Sequence, residues 1–321
     1  MQTVDKRDRR FPNHPTSIGK TLNAIKGPRL DLLEKAGWFG DFPTDHGVKA
    51  LALAGKVNET KNKQTLTDLR SETPKGYSTP FLCFPPKLFP NPKLALPNRH
   101  LHLVNRLSPS AIQFLKDKNR YVERAGGGWY HHELMRSCLM WEFYLAHERK
   151  RENTFIPHHR ITALDPVPQE KLVTFTHDSK EISIALRWDD DFILDFDARQ
   201  RLFFLEADKG NEVNMTEDMR RKSELRSFLQ YQQFIGRGIY REHFKTEKAA
   251  IVLHVFNNRQ KMENVMALHE KWTKGNGSNF HAYRLDERFA DPDFVAPKVS
   301  YANYFEPWQQ INRPPLYIDR P

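Results

Sequence analysis

Two apolar segments that carry acids, Arg187 to Phe196 and Leu202 to Gly210, are separated by only a few polar residues, and this pairing constrains the fold more than any other stretch. Each is long enough for one strand, and the gap between them suits only a tight reversal. With Ala198-Arg199-Gln200 as a three-residue hairpin loop, Asp197 faces Arg201, Leu194 faces Phe204, Phe192 faces Glu206 and Asp190 faces Asp208. Side chains alternate along a strand, so the even-numbered residues share one face, and that face ends in Asp190, Glu206 and Asp208. Three carboxylates at one rim repel one another unless protons or cations intervene, and hard oxygen ligands from two strands suit Mg²⁺ or Mn²⁺. The pattern leaves two readings open: a divalent metal site, or a solvated hairpin end. Phe203-Phe204-Leu205 runs directly into Glu206, which places that acid at the end of a buried strand.

At 321 residues the chain exceeds the ~250 to 300 at which single cores usually stop growing, so two domains are expected. The 50 Lys+Arg against 40 Asp+Glu leave a net charge of +10, which favours a polyanionic partner, DNA above all. Only Cys83 and Cys138 occur, too few for a disulfide framework or a cysteine zinc site. The basic first residues lack an apolar leader and no later stretch approaches ~20 uninterrupted apolar residues, so the expectation is a cytoplasmic protein with no membrane partner. No GxxxxGK[ST], GxSxG or HExxH pattern is present, which gives no support to ATP hydrolysis, serine hydrolysis or zinc proteolysis.

Composition and periodicity divide the chain into a basic tail over 1–28, a first domain over 29–122, a glycine-rich linker over 123–130 and a second domain over 131–321. The first domain reads as short helices at Leu30 and after Thr44, then a segment from Lys61 to Arg70. There Leu66 and Leu69 face a core while Lys61, Lys63, Gln64, Thr67 and Arg70 stay outside. Cations for phosphate beside amide and hydroxyl groups for base edges are what a groove-reading helix needs. Phe81 to Phe84, a Pro-rich excursion from Pro85 to Pro97 and the alternating His100 to Val104 suggest a two-stranded wing, and Ser108-Pro109 caps a closing helix. This is a winged-helix pattern. Gly126-Gly127-Gly128 marks the boundary. Beyond it the pattern predicts a helix over His131 to Lys150, strands at Leu172–Thr176 and Ile182–Leu186, and the acid hairpin. A helix over Met215 to Phe234, a buried strand over Ala249 to Phe256 and a helix over Arg259 to Trp272 follow, which makes the class mixed α/β. Glu133 reads either as an extra carboxylate for the hairpin or as a first-turn acid favoured by the helix dipole; His158 and His159 are assigned no role.

The layout resembles the replication-relaxation family of bacterial plasmids and mobile elements. The matching stretches are His131-His132-Glu133-Leu134, Asp189-Asp190, Glu206-Ala207-Asp208-Lys209-Gly210 and Arg220-Arg221-Lys222 through Tyr231, in that order, within residues 30 to 315. The resemblance implies a winged helix followed by a PD-(D/E)xK restriction-endonuclease-like domain and, with it, Mg²⁺- or Mn²⁺-assisted phosphodiester cleavage or nicking. Asp190, Glu206 and Asp208 would hold the metal, and other replication or mobilisation proteins would be partners. Asp208 stands where the group's lysine belongs, so a cation is expected from the next helix, Lys222 first and Arg226 second. The alternative is a non-catalytic DNA-binding regulator or replication accessory factor whose nuclease-like fold is a scaffold. A third reading makes Tyr301 to Tyr317 a protein-docking segment.

Overall fold

The computed structural model describes residues 25–55, 58–83, 104–120, 130–161, 168–197, 199–208, 210, 213–216, 218–290 and 297–320. The chain is mixed α/β and divides into two units, Met1–Trp141 with Pro292–Val299 and Glu142–Asp291 with Ser300–Pro321. Residues 1–24 of the expected basic tail, Phe84, the whole Pro-rich excursion with His100 to Leu103, and the Gly126 to Gly128 run lie outside the described residues.

Pro28 opens helix α1 (Pro28–Phe39), because its fixed φ suits a first turn whose N–H groups have no helical partner. Next come strand β1 (Phe42–Pro43) and helices α2 (Thr44–Leu53) and α3 (Glu59–Ser71). Asn58 caps the start of α3: its side chain accepts the Lys61 N–H at 3.2 Å. Strands β2 (Leu82–Cys83) and β3 (Val104–Leu107) complete a small antiparallel sheet in the order β1-β3-β2. Ser108 then caps α4 (Pro109–Asp117) by accepting the Ala111 N–H, as its sequence predicts. Leu33, Phe39, Phe42, Leu51, Leu66, Leu69, Phe81 and Leu115 form the core. Each side chain of this size contributes about 1.5 to 3 kcal/mol on burial. At Gly47 an added Cβ would lie 2.6 Å from the Phe42 ring and 3.1 Å from Leu66, so α2 packs here only with glycine. Val299 returns to this unit, its N–H donated to Asp45 at 2.9 Å.

Helix α5 (Tyr130–Lys150) contains the division between the units, at Trp141 and Glu142. The second unit continues with β4 (Thr154–Pro157), the single turn α6 (His158–Ile161), and the hairpin β5 (Glu170–His177) and β6 (Lys180–Arg187), a two-stranded sheet of its own. Strands β7 (Asp190–Asp195) and β8 (Gln200–Asp208), helices α7 (Glu224–Phe234) and α8 (Ile239–Phe244), β9 (Ala249–Phe256), α9 (Arg259–Trp272) and β10 (His281–Leu285) follow. The main sheet has the order β10-β9-β8-β7-β4, with β8, β9 and β10 parallel and the other pairs antiparallel. One face packs Ile193, Leu202, Phe204 and Val252 against Tyr231 and Phe234 of α7 and Phe244 of α8. On the other, Phe192 stands 5.0 Å from Phe143 of α5 and 5.1 Å from Phe203.

Two expectations are corrected. The acid hairpin forms, but Asp190 pairs with Leu205, Phe192 with Phe203 and Asp195 with Gln200, three positions away from the predicted register. The reversal is tighter than a three-residue loop: Phe196 donates to the Arg199 carbonyl at 2.9 Å, and Asp197 takes a φ of +61°, a left-handed conformation that Asp tolerates. An odd shift exchanges the faces of one strand relative to the other. Second, the helix expected from Met215 begins only at Glu224. Ser223 is extended, with φ −155°, and caps the helix by accepting the Arg226 N–H, so Arg220, Arg221 and Lys222 precede the helix.

Candidate functional site

In the first unit, α3 turns Leu66, Leu69, Asn62 and Thr65 inward, and leaves Lys61, Lys63, Gln64 and Thr67 exposed on its outer face. Lys63 reaches back to Glu59 at 2.7 Å, Gln64 donates to Asp68 at 2.7 Å, and the Thr67 hydroxyl donates to the Lys63 carbonyl at 3.1 Å. Arg29 of α1 holds the other oxygen of Asp68 at 3.4 Å. Arg70, the fifth residue expected outside, is half-buried, and desolvation lowers its pKa. It therefore belongs to the rim of the core rather than to the exposed face. Glu133 pairs with Arg136 at 2.7 Å, as a first-turn acid of α5.

In the second unit, the observed register separates the predicted acid set. Residues directly opposed in an antiparallel pair share a face. Asp190 therefore lies with Leu205, on the face opposite Glu206 and Asp208. Its oxygen accepts the Asp191 N–H at 3.0 Å. At this end of the hairpin the acids on the same face as Glu206 and Asp208 are Asp189 and Asp191, and each of the four meets donors of the protein itself. Asp189 accepts the Ala207 N–H at 2.7 Å. Asp191, fully buried, accepts the Trp188 indole at 2.7 Å, and His158 Nδ1 stands 2.8 Å from its Oδ1. Glu206 accepts the Tyr231 hydroxyl. Asp208 accepts the Gly210 N–H at 2.6 Å and faces Lys261 Nζ at 3.5 Å, while the same ammonium lies 3.2 Å from Glu224 and 2.8 Å from Asn214. Burial, reinforced by Glu206, raises the Tyr231 pKa well above the usual tyrosine value, so this phenol remains a donor.

The cation beside Asp208 thus comes from α9. Lys222, the predicted source, is exposed and precedes the Ser223 cap; Arg226, the second choice, donates to the Arg220 carbonyl at 2.8 Å. Sequence alone carries no signal for Lys261, which lies 53 positions from Asp208. His158 is missed for the same reason: its partner is 33 residues away.

Behind Glu206 lies a second polar cluster that the sequence does not single out. His254 pairs with Glu206 across the β8/β9 ladder, and its Nε2 lies 2.9 Å from His281 Nδ1. His269 Nδ1 is 2.7 Å from the Tyr283 hydroxyl, and the Phe228 ring packs 4.2 Å from His269 and 5.3 Å from His281. Burial holds all three imidazoles neutral, pulling His254 down to about 3 and the other two well below the usual histidine value.

The Mg²⁺ or Mn²⁺ shell implied by the resemblance does not fit this arrangement, because Asp190 is on the wrong face and Asp208 already faces an ammonium. Among the described residues no group of three or more His, Cys, Asp or Glu side chains is arranged to hold a metal ion. No helix among them is long and apolar enough to cross a membrane. No protein-family model, no curated protein and no solved structure matches the chain.

Proposed function

We propose that this chain is a DNA-binding protein of the plasmid or mobile-element replication or mobilisation type, related to the replication-relaxation family. Its first unit acts as a winged helix, and its nuclease-like second unit serves as a scaffold. The observation that carries the reading is α3: a helix anchored by Leu66 and Leu69 that presents Lys61, Lys63, Gln64 and Thr67 on one exposed face. The element order supports it, with three helices, then β2 and β3 as the two strands of a wing on the sheet begun by β1. The net charge of +10 supplies the electrostatic attraction for a polyanion. The scaffold role is favoured by the acids of β7 and β8, whose donors come from the protein itself. Other replication or mobilisation proteins are the partners this role calls for.

The test is duplex binding by the full chain across a salt series. Log K should fall with log salt, each neutralised phosphate contributing about −0.9 to the slope, and Lys61→Ala with Lys63→Ala should reduce the slope by about 2. A flat response, or a slope the lysine changes leave alone, overturns the reading. The same protein incubated with supercoiled and single-stranded DNA in Mg²⁺ and in Mn²⁺ decides the scaffold role. Cleavage that Glu206→Gln abolishes would replace the scaffold with a metal-dependent nuclease.

A further inference from the structure

The exposed face of α3 is chemically asymmetric. The carboxylate of Asp68 can only accept, so the 2.7 Å contact fixes which end of the Gln64 amide faces it: Nε2 is turned to Asp68 and one of its two hydrogens is engaged there. Oε1 is thereby set on the other side, with the second Nε2 hydrogen remaining. Asp68 is itself held by Arg29 from α1, which makes it a fixed anchor. Three residues along, the Thr67 hydroxyl hydrogen is committed to the Lys63 carbonyl at 3.1 Å, so Thr67 offers lone pairs and a methyl group to a partner. Between them, Gln64 and Thr67 present one donor and several acceptors.

In the major groove of duplex DNA each base shows its own pattern. Guanine offers two acceptors, O6 and N7, and asks for two donors. Adenine offers the N6 amine as donor and N7 as acceptor, which is the complement of one amide oxygen beside one amide N–H. Resting on the reading that α3 enters the groove, we propose that Gln64 reads an adenine, and that Asp68 is the positioning residue that sets its amide for that base. Lys61 and Lys63 hold the flanking phosphates and add no sequence preference.

The experiment is selection of bound duplexes from a randomised library by the full chain, followed by binding to the selected site with single-atom base changes. One position is expected to select adenine. Replacing that adenine by purine, which lacks the N6 amine, or by 7-deazaadenine, which lacks N7, should weaken binding about tenfold in each case. Gln64→Glu keeps the acceptors and removes the donor, so the preference at that position should move from adenine to cytosine, whose N4 amine a carboxylate accepts. Asp68→Ala should narrow the gap between adenine and guanine there while leaving the salt slope unchanged, an effect that lost helix stability would not produce. The base analogues leave the protein untouched, so they decide the matter if Asp68→Ala weakens the fold. Selection of guanine or thymine at the Gln64 position, or equal binding of adenine and purine, overturns the assignment and leaves DNA binding standing. Failure to bind any duplex overturns the reading on which it rests.

Discussion

On the outer face of α3 Lys63, Gln64 and Thr67 stand in solvent over a core of leucines, each in contact with a neighbour one helical turn away. At the acid end of β8 the polar side chains are buried or half-buried, and most of their partners come from other elements: Tyr231 from α7, Lys261 from α9 and His158 from α6, with the Ala207 N–H of β8 itself serving Asp189. Contacts one turn apart on an exposed helix are worth only about 0.2 to 0.5 kcal/mol, and an incoming phosphate or base can replace them. Buried contacts across a sheet cannot be exchanged so cheaply, since a partner removed there leaves a desolvated charge. A dense run of acids in a sequence therefore says little about availability. The chemistry a partner can reach is the chemistry the fold has not already answered.

The largest test of this contrast is pH. His254, His269 and His281 have folded pKa values below the unfolded value, so the fold favours their neutral forms. The stability this contributes is fully present above about pH 6.5 and is lost as the pH falls, by about 1.4 kcal/mol per pH unit for each group. Lowering the pH to 5 should remove on the order of 6 kcal/mol from the second unit. Amide hydrogen exchange should show the protection of β9 and β10 collapsing with acid while that of α3 changes little; parallel loss in both would break the comparison. A smaller effect is expected from Lys261→Met, which withdraws the ammonium shared by Asp208 and Glu224, side chains 12% and 8% exposed. Urea unfolding should show a cost of about 3 to 5 kcal/mol, and a change below ~1 kcal/mol would mean that the acids of this end are as replaceable as those on α3. Smallest of all, Gln64→Ala and Thr67→Ala should each move stability by no more than about 0.5 kcal/mol, because neither side chain is buried. A larger loss in the same unfolding measurement would place these residues in the fold and not on an exposed, exchangeable face.

Local pattern made much of this legible. The bounds of α9 and β9, the Ser108 cap and the inward turn of Leu66 and Leu69 all follow from periodicity and capping residues within a few positions of one another. What failed depended on a single backbone choice or on distance. Asp197 adopting the left-handed region shortened the reversal and moved the register by three, which carried Asp190 to the other face. The apolar Met215 and Met219 extended the helical pattern backward past Ser223, whose cap fixes the true start of α7. His254, His269 and His281 each look unremarkable alone, since a histidine in a buried strand or helix announces no partner. The parallel pairing of β9 with β10 joins His254 and His281, and α9 packed on those strands adds His269.

The bond from the Val299 N–H to Asp45 has a bearing on how the protein is made. Its partners lie 254 residues apart. A ribosome adding ~5 to 20 residues per second leaves Asp45 waiting roughly 13 to 50 s before Val299 exists. Throughout that interval the first unit emerges without its last segment while the second is still being translated. The first unit is thus begun before the second and closed only after most of the second has been made, and an early stop codon anywhere before Val299 would yield a chain in which neither unit is whole.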